Sequence, residues 1–382
     1  MREWSAARIG DVAECLDAIR KPVRAADRRD GPYPYYGASG VIDYVDHYLF
    51  EGTFALVAED GENLRSRNTP VSFLATGKFW VNNHAHILSG TDRCDVRFLS
   101  YAIENSDISG YLTGSTQPKL TQQSLLSMRF HWPPIAEQRA IAEVLGALDD
   151  KIEANRSQID ILESLISASW EDVSSDSSGW LQQPISEVAK IVGGSTPRTS
   201  VTEFWDGSIS WATPNDLSRL TSTPLFRTER TITEQGLQQI SSGLLPRGTV
   251  LLSSRAPIGY LAIAEVPLAI NQGFIALNSY GAVPNLYLWQ WVAHHMAEIK
   301  DRANGTTFQE ISKANFRPIG FDVPPAKVID RWMNEAEPLY QLVVKLENET
   351  SILATLRDTL LPKLMSGELR VRGAEHLVED AV

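Results

Sequence analysis

The apolar positions Ile141, Leu145, Leu148, Ile152, Ile159, Leu162 and Ile166, with Asn155 among them, advance by alternating steps of four and three. That is a heptad seam, so the spacing predicts one long helix packed along its length against another helix. Asn155 is the polar interruption, a residue type that fixes register and partner orientation at some cost in stability. A second run from Ala326 onward carries Leu339, Leu342, Leu346, Leu353, Leu356 and Leu360. Within it Pro338 should either kink the helix or mark where its uninterrupted part begins, and Leu361-Pro362 should stop or kink it. Each helix needs a partner, and pairing the two with each other is the economical solution. Run antiparallel, they would hold one globule at each end.

The rest of the chain alternates differently. Short β-like runs at Val41–Val45, Thr53–Ala58 and Lys78–Val81 are punctuated by Gly31, Gly40, Gly61 and Gly77, and a second set lies at Thr249–Ser253, Tyr260–Ala264 and Phe274–Leu277. A polar linker, Ser174–Gly179, precedes the second set. The expected fold class is α+β: two globular domains separated by two long helices forming an antiparallel coiled coil, with pseudo-two-fold symmetry. The expected boundaries are 1–133 and 172–325 for the globules, and 134–171 and 326–382 for the helical regions.

The symmetry comes from a repeat. Gly114-Ser115-Thr116-Gln117 and Pro133-Pro134 recur 191 residues later as Gly305-Thr306-Thr307-Phe308 and Pro324-Pro325. The same offset carries Leu148, Ile152, Leu162 and Leu165 onto Leu339, Val343, Leu353 and Leu356. Solenoid periods run to roughly 20–50 residues, so this is duplication of a whole module. Two similar halves suit a target with two similar halves.

Composition modifies this picture only a little. With 382 residues, 43% of them hydrophobic, there is material for two cores. A net charge of −12 argues at first against nucleic acid. Yet acidic residues gather in or beside the helical runs, at Asp149-Asp150, Glu335, Glu337, Glu347, Glu349 and the tail, whereas Arg20-Lys21, Arg24, Arg28-Arg29, Arg65 and Arg67 lie in the first globule. Cys15 and Cys94 have no metal-ligand spacing, and so few cysteines fit a reducing compartment. No signal segment and no apolar run approaching the ~20 residues of a bilayer span is present, so a cytoplasmic location is expected.

Leu356-Arg357-Asp358-Thr359-Leu360-Leu361-Pro362-Lys363-Leu364-Met365-Ser366-Gly367-Glu368-Leu369-Arg370-Val371 resembles the C-terminal signature of the specificity (S) subunits of type I restriction-modification enzymes. Gly193-Gly194-Ser195-Thr196-Pro197, Trp211–Leu217, Ser253–Tyr260 and Asn271-Gln272-Gly273-Phe274 resemble further blocks of that family. In the first half, Tyr33–Gly40 and Asn82–His86 are similar to its other common domain variant. The resemblance implies two target-recognition domains, each reading one half of a split double-stranded DNA sequence. It also implies an antiparallel coiled coil that spaces them and carries two methyltransferase subunits, which restriction subunits join. By the same resemblance the chain is not an enzyme and binds no cofactor; the partners would use S-adenosylmethionine, and ATP and Mg for restriction.

The motif search agrees, because neither an Asn-Pro-Pro-aromatic tetrapeptide nor a Gly-rich methyl-donor loop occurs, and no phosphate-binding Gly-Lys-Ser/Thr loop is found. His84 and His86, two apart, would share one face of a strand, but no carboxylate or Cys close in sequence completes a metal site. No metal site is therefore expected.

Base readout needs donor and acceptor edges on ordered loops. Candidates in the second domain are Ser254, Arg255, Asn271, Gln272, Thr306, Thr307 and Gln309; in the first they are Tyr36, Ser39, Lys78, His84, Ser115, Thr116, Gln117 and Lys119. The same residues also suit purely local roles: Asn271 before Gln272-Gly273 would make a turn, and Arg255 would pair with a carboxylate. The candidate coiled-coil and partner positions are Ile141, Leu145, Leu148, Ile152, Asn155, Ile159, Leu162, Leu339, Leu346, Leu353, Leu356 and Leu360. Two other readings stay open on sequence alone: a solitary S-like DNA-binding adaptor, and a structural adaptor for proteins or glycans with a coiled-coil spacer.

Overall fold

A computed structural model of the chain describes residues 4–114, 116–305 and 309–379. It divides into two compact units, one of residues 1–152 with 352–382 and the other of residues 153–351.

The heptad pattern folds as its spacing dictates. One helix runs Ile135–Ser174 and the other Ala326–Met365, forty residues each. Both start on a proline pair in the same way: the N–H groups of Glu137 and Gln138 donate to the Pro134 carbonyl, and those of Val328 and Ile329 to that of Pro325. Stretches of both helices meet inside each unit. In the first unit Asp149 pairs with Arg357 at 2.8 Å. In the second, the Asn155 amide donates to Glu349 at 3.2 Å and the Trp332 indole to Ser169 at 3.0 Å. Within the second unit the partner number falls as the residue number rises, so the pairing is antiparallel.

Of the predicted first seam, Ile141, Leu145, Leu148, Ile152, Asn155, Ile159 and Ile166 are buried and Leu162 is half-buried. The second seam is broader than its leucines suggested. It runs through Ile329, Trp332, Ala336, Tyr340, Val343, Leu346, Thr350, Leu353, Leu360 and Leu364, while Leu339 and Leu356 are half-buried and Leu342 faces solvent. The helix also continues through Pro338 and Pro362, so Pro338 does not mark its start and Pro362 does not stop it. Both prolines lie on the exposed side, and the apolar packing on the other side outweighs one lost backbone bond at each.

Each globule closes on itself with a two-stranded antiparallel ribbon just before its proline pair. Ser5–Arg8 pairs with Arg129–Trp132 in the first, and Leu181–Pro184 with Gly320–Val323 in the second. The strands Arg129–Trp132 and Gly320–Val323, like the two long helices, stand 191 residues apart at both ends.

Inside the ribbons the sheet cores share an order that the sequence does not display. In the first globule Glu14–Cys15, Ala85–Ser89, Phe50–Ala58 and Ser72–Val81 are successive antiparallel neighbours, extended by Tyr33–Gly37 and Gly40–Val45. In the second the corresponding neighbours are Ala189–Val192, Phe274–Ser279, Val250–Ser254 and Ile258–Ala264. A helix packs against each core, Val96–Glu104 in the first and Asn285–His294 in the second. The second globule adds a three-stranded sheet, Arg230–Ile232, Trp205–Ala212 and Leu268–Ile270, built around Trp205, Trp211 and Ile232. No helix among the described residues is long and apolar enough to cross a membrane.

Candidate nucleic-acid interface

In the second globule the blocks that lie far apart in sequence come together. The Ser195 N–H donates to the Ile270 carbonyl and the Asn271 N–H to that of Ala212, joining three blocks at the ends of their strands. Gly194 is required there, since a Cβ would collide with the Ile270 carbonyl. The Ser254 N–H donates to the Gly273 carbonyl at 2.8 Å, and the Ile311 N–H to that of Ser254 at 3.0 Å. Asp216 braces the group from below: one oxygen accepts from the Thr213 N–H and hydroxyl at 2.7 Å, the other from the Glu229 N–H at 2.6 Å.

On this frame the candidates divide by accessibility. Gln272 and Gln309 are exposed, Arg255 is partly exposed, and Ser254 is buried. The Thr196 hydroxyl donates to the Gln272 amide oxygen at 2.6 Å, which orients that side chain. The Asn271 side-chain oxygen accepts from the Gly273 N–H at 2.8 Å, so this residue makes a local turn. Arg255 stands 3.9 Å from Glu310, a loose and exposed pairing. Thr306 and Thr307 lie outside the described residues. Sequence reasoning passed over Thr196, although it stands in a quoted block, and Lys313, whose ammonium reaches Gly193. It also missed Arg230, whose guanidinium lies 3.5 Å above the Trp205 ring.

The first globule gathers its blocks in a parallel way. Tyr35 and Tyr36 pair with Trp80 and Val81, and the Asn82 N–H donates to the Tyr36 carbonyl. Tyr36 is half-buried and packs its ring against Phe73 and Phe79. Ser39 is exposed in the turn between two strands, and Thr116 and Gln117 are exposed as well. Lys78 lies over the Tyr48 ring, 4.8 Å from its centre, and 3.9 Å from Glu51. Ser115 lies outside the described residues.

The two histidines do not share a strand face. His84 occupies the turn ahead of Ala85–Ser89, where its N–H is held by the Asn82 side chain, and its exposed ring meets half-buried Asp60 at 2.9 Å. His86 is buried with Asp17 at 2.5 Å. Carboxylates do reach them, from positions distant in sequence. Asp17, Glu59 and His86 lie close enough to ligate a cation. Arg20 already bridges Asp17 and Glu59 at 3.1 and 2.7 Å, however, and Lys119 meets Glu59 at 3.0 Å. The donor set is that of an ion-pair network.

Burial alone would raise the Asp17 and Glu59 carboxyls. For Asp17 the His86 bond and the His86 and Arg20 charges outweigh it, and for Glu59 the Arg20 and Lys119 bonds do, so both titrate below their ordinary values. In the unfolded chain these groups take up protons first as the pH drops. The stability they contribute is therefore present above about pH 4 and lost as pH falls through the folded values. Protection of the Ala85–Ser89 amides relative to their intrinsic exchange at each pH should fall steeply on acidification, and much less steeply in Arg20→Met. Parallel profiles would show that this network does not tie the strand down.

A groove of about 610 Å³ along the first long helix, lined by Asp160, Glu163 and Glu171, is wrong for phosphate. Exposed polar side chains lie instead on the joined loops of the second globule, at Thr196, Gln272 and Gln309.

The model of the "Type I restriction modification DNA specificity domain" family matches residues 1–164 and again residues 177–335. The chain belongs to this family. As a type I specificity-family member it is 39% identical over 147 residues to the type I restriction enzyme MjaIX specificity subunit of Methanocaldococcus jannaschii, covering 38% of this chain and 34% of that one. It is 23% identical over 196 residues to the HindI specificity subunit of Haemophilus influenzae, covering 50% and 42%. The matches thus span between a third and a half of these relatives' length. The fold is shared with the type I restriction-modification S subunit crystal structure from M. genitalium, at a TM-score of 0.64 and 17% identity, over 94% of this chain and 96% of the other.

Proposed function

We infer that this specificity-family chain is the DNA-reading subunit of a type I restriction-modification assembly. Each globule would read one half of a bipartite double-stranded target, and the paired helices would space the halves. The observation that carries this reading is the doubled module: ribbon, sheet core, covering helix, proline pair and forty-residue helix all occur twice. Exposed Gln272 and Thr196 with partly exposed Arg255 in one copy, and exposed Ser39, Lys78, Thr116, Gln117 and Lys119 in the other, supply donor and acceptor groups of the kind that base contacts need.

The chain itself performs no chemistry in this reading. Two methyltransferase subunits dock on the helices, bringing S-adenosylmethionine, and restriction subunits that use ATP and Mg join through them. Ile161, Leu165, Leu342 and Ile352 leave apolar surface exposed on the helices, which supports a docking role. The net charge of −12 supports a division of labour in which the partner supplies much of the phosphate contact.

Two measurements test this. The purified chain should transfer no methyl group and should separate its target from unrelated DNA only weakly until a methyltransferase subunit is added. In the host, deleting the gene should erase one methylated motif made of two defined halves around an unread spacer. Persistence of every methylated motif after deletion would sink the reading.

A further inference from the structure

Each globule is tied to a long helix by one tyrosine-to-carboxylate hydrogen bond, and the two copies exchange donor and acceptor. In the first unit, Tyr101 of the covering helix donates its hydroxyl to Asp149 on the first long helix at 2.6 Å. Arg357 of the second long helix closes on the other Asp149 oxygen at 2.8 Å. In the second unit, Tyr340 on the second long helix donates to Glu265 of the globule, also at 2.6 Å. Arg247 grips the other Glu265 oxygen at 2.7 Å. Positions 149 and 340 are separated by the 191-residue repeat, so one place on the repeated helix carries the acceptor in one copy and the donor in the other.

The coincidence is not inherited from the globules. Tyr101 comes from a helix, whereas Glu265 comes from the end of the strand Ile258–Ala264. What the copies share is the position on the helix where a directional bond is made. Apolar contact is non-directional and lets a globule rock on its support; a short hydroxyl-to-carboxylate bond held by a guanidinium does not. Burial, reinforced by the neighbouring carboxylate, pushes both tyrosine hydroxyls well up, which keeps them as donors. The second unit strengthens the joint with two more carboxylates from the helices: Glu163 accepts from the Thr223 N–H at 2.8 Å and Glu347 from the Ser222 hydroxyl at 2.7 Å.

We propose that Tyr101–Asp149–Arg357 and Tyr340–Glu265–Arg247 are positioning latches that set the angle each recognition globule holds on its helices, and thereby the one spacer length accepted between the half-sites. This rests on the reading of the chain as a two-domain DNA specificity subunit. The residues touch no base; they act through the globule they hold.

The experiment uses the full chain assembled with its methyltransferase subunits, on duplexes bearing the motif read from the methylome with the native spacer or one base pair more or less. Tyr101→Phe and Tyr340→Phe each remove one oxygen and keep the ring. Each should lower the preference for the native spacer about tenfold, a factor equivalent to about 1.4 kcal/mol, while both half-site words stay unchanged. Adding Glu265→Gln to Tyr340→Phe should change the preference no further, since the bond is already gone. Arg247→Met, at a half-exposed guanidinium, should shift the preference in the same direction and serves if Tyr340→Phe does not fold.

Variants that lose thermal stability but keep the native spacer preference would make these bonds merely structural and overturn the proposal. A wild-type assembly that methylates all three spacers equally would remove the two-half-site reading and the latches with it. A selective wild type with insensitive variants would remove the latches alone.

Discussion

Replacing residues 172–325 with the matching domain of another family member is expected to rewrite one half of the methylated motif and leave the other half as it was. The physical reason is the ribbon of Leu181–Pro184 with Gly320–Val323, which brings both ends of the globule to one place. A domain that enters and leaves together can be exchanged without re-routing the chain. Part of its core is internal, with Leu217, Leu251, Leu268 and Phe274 in one cluster and Trp205, Trp211 and Ile232 in another, while Val250, Leu252, Ile263 and Leu277 share a cluster with Trp332 and Tyr340 of the second long helix. The exchange must respect the joint with the helices, so a donor domain needs an acceptor for Tyr340 and polar groups opposite Glu163 and Glu347. Methylome sequencing reads the outcome directly, and a change in both halves would refute one domain per half-site.

Trp332→Ala should destabilise the second unit by about 3–5 kcal/mol, the usual range for emptying a fully buried aromatic site. Trp332 is 0% exposed. It stands on the second long helix, donates its indole N–H to Ser169 on the first, and meets Tyr287 of the covering helix edge-on with ring centres 5.3 Å apart. One side chain therefore joins three elements, and none of them can collapse into the space without leaving the others. Trp332→Phe should cost less, since it retains most of the packing and loses chiefly the Ser169 bond. Denaturant unfolding of the purified chain checks both variants. A loss below about 1 kcal/mol for Trp332→Ala would show that the site relaxes, contrary to the close packing of buried aromatics.

The helices were legible because heptad spacing is a local signal. Ile141 through Ile166 needed only counting, and the fold buries Asn155 in the same row. The second helix was harder, because Leu339 and Tyr340, or Leu342 and Val343, offer two adjacent apolar residues where the seam has room for one. Only packing against Ile159 and the globule selects Tyr340 and Val343. Prolines were over-read: Pro338 is forbidding in an isolated helix, but here one face is held by Trp332, Ala336 and Tyr340.

Strand positions were visible and strand partners were not, since pairing Ala85–Ser89 with Glu14–Cys15 joins segments some seventy residues apart with no pattern to announce it. The same limit applied to chemistry. His86 looked isolated because Asp17 and Glu59 reach it only through the fold. Resemblance to family blocks pointed to Gln272 and Arg255, but the hydrogen bond that orients Gln272 comes from Thr196, 76 positions away.

The segment from the closing strand to the end of the long helix, Arg129–Ser174 and Gly320–Met365, occurs twice with identical element bounds. At the level of the gene, this makes the joint a seam of constant length for crossover. A single recombination between alleles inside Arg129–Ser174 would pair one gene's upstream globule with another's downstream globule, in frame and with no residue added to or lost from the helix. New combinations of half-sites would then arise in one step from existing parts. Variation would accumulate in the loops while the joint that every new combination must use stayed constant in length.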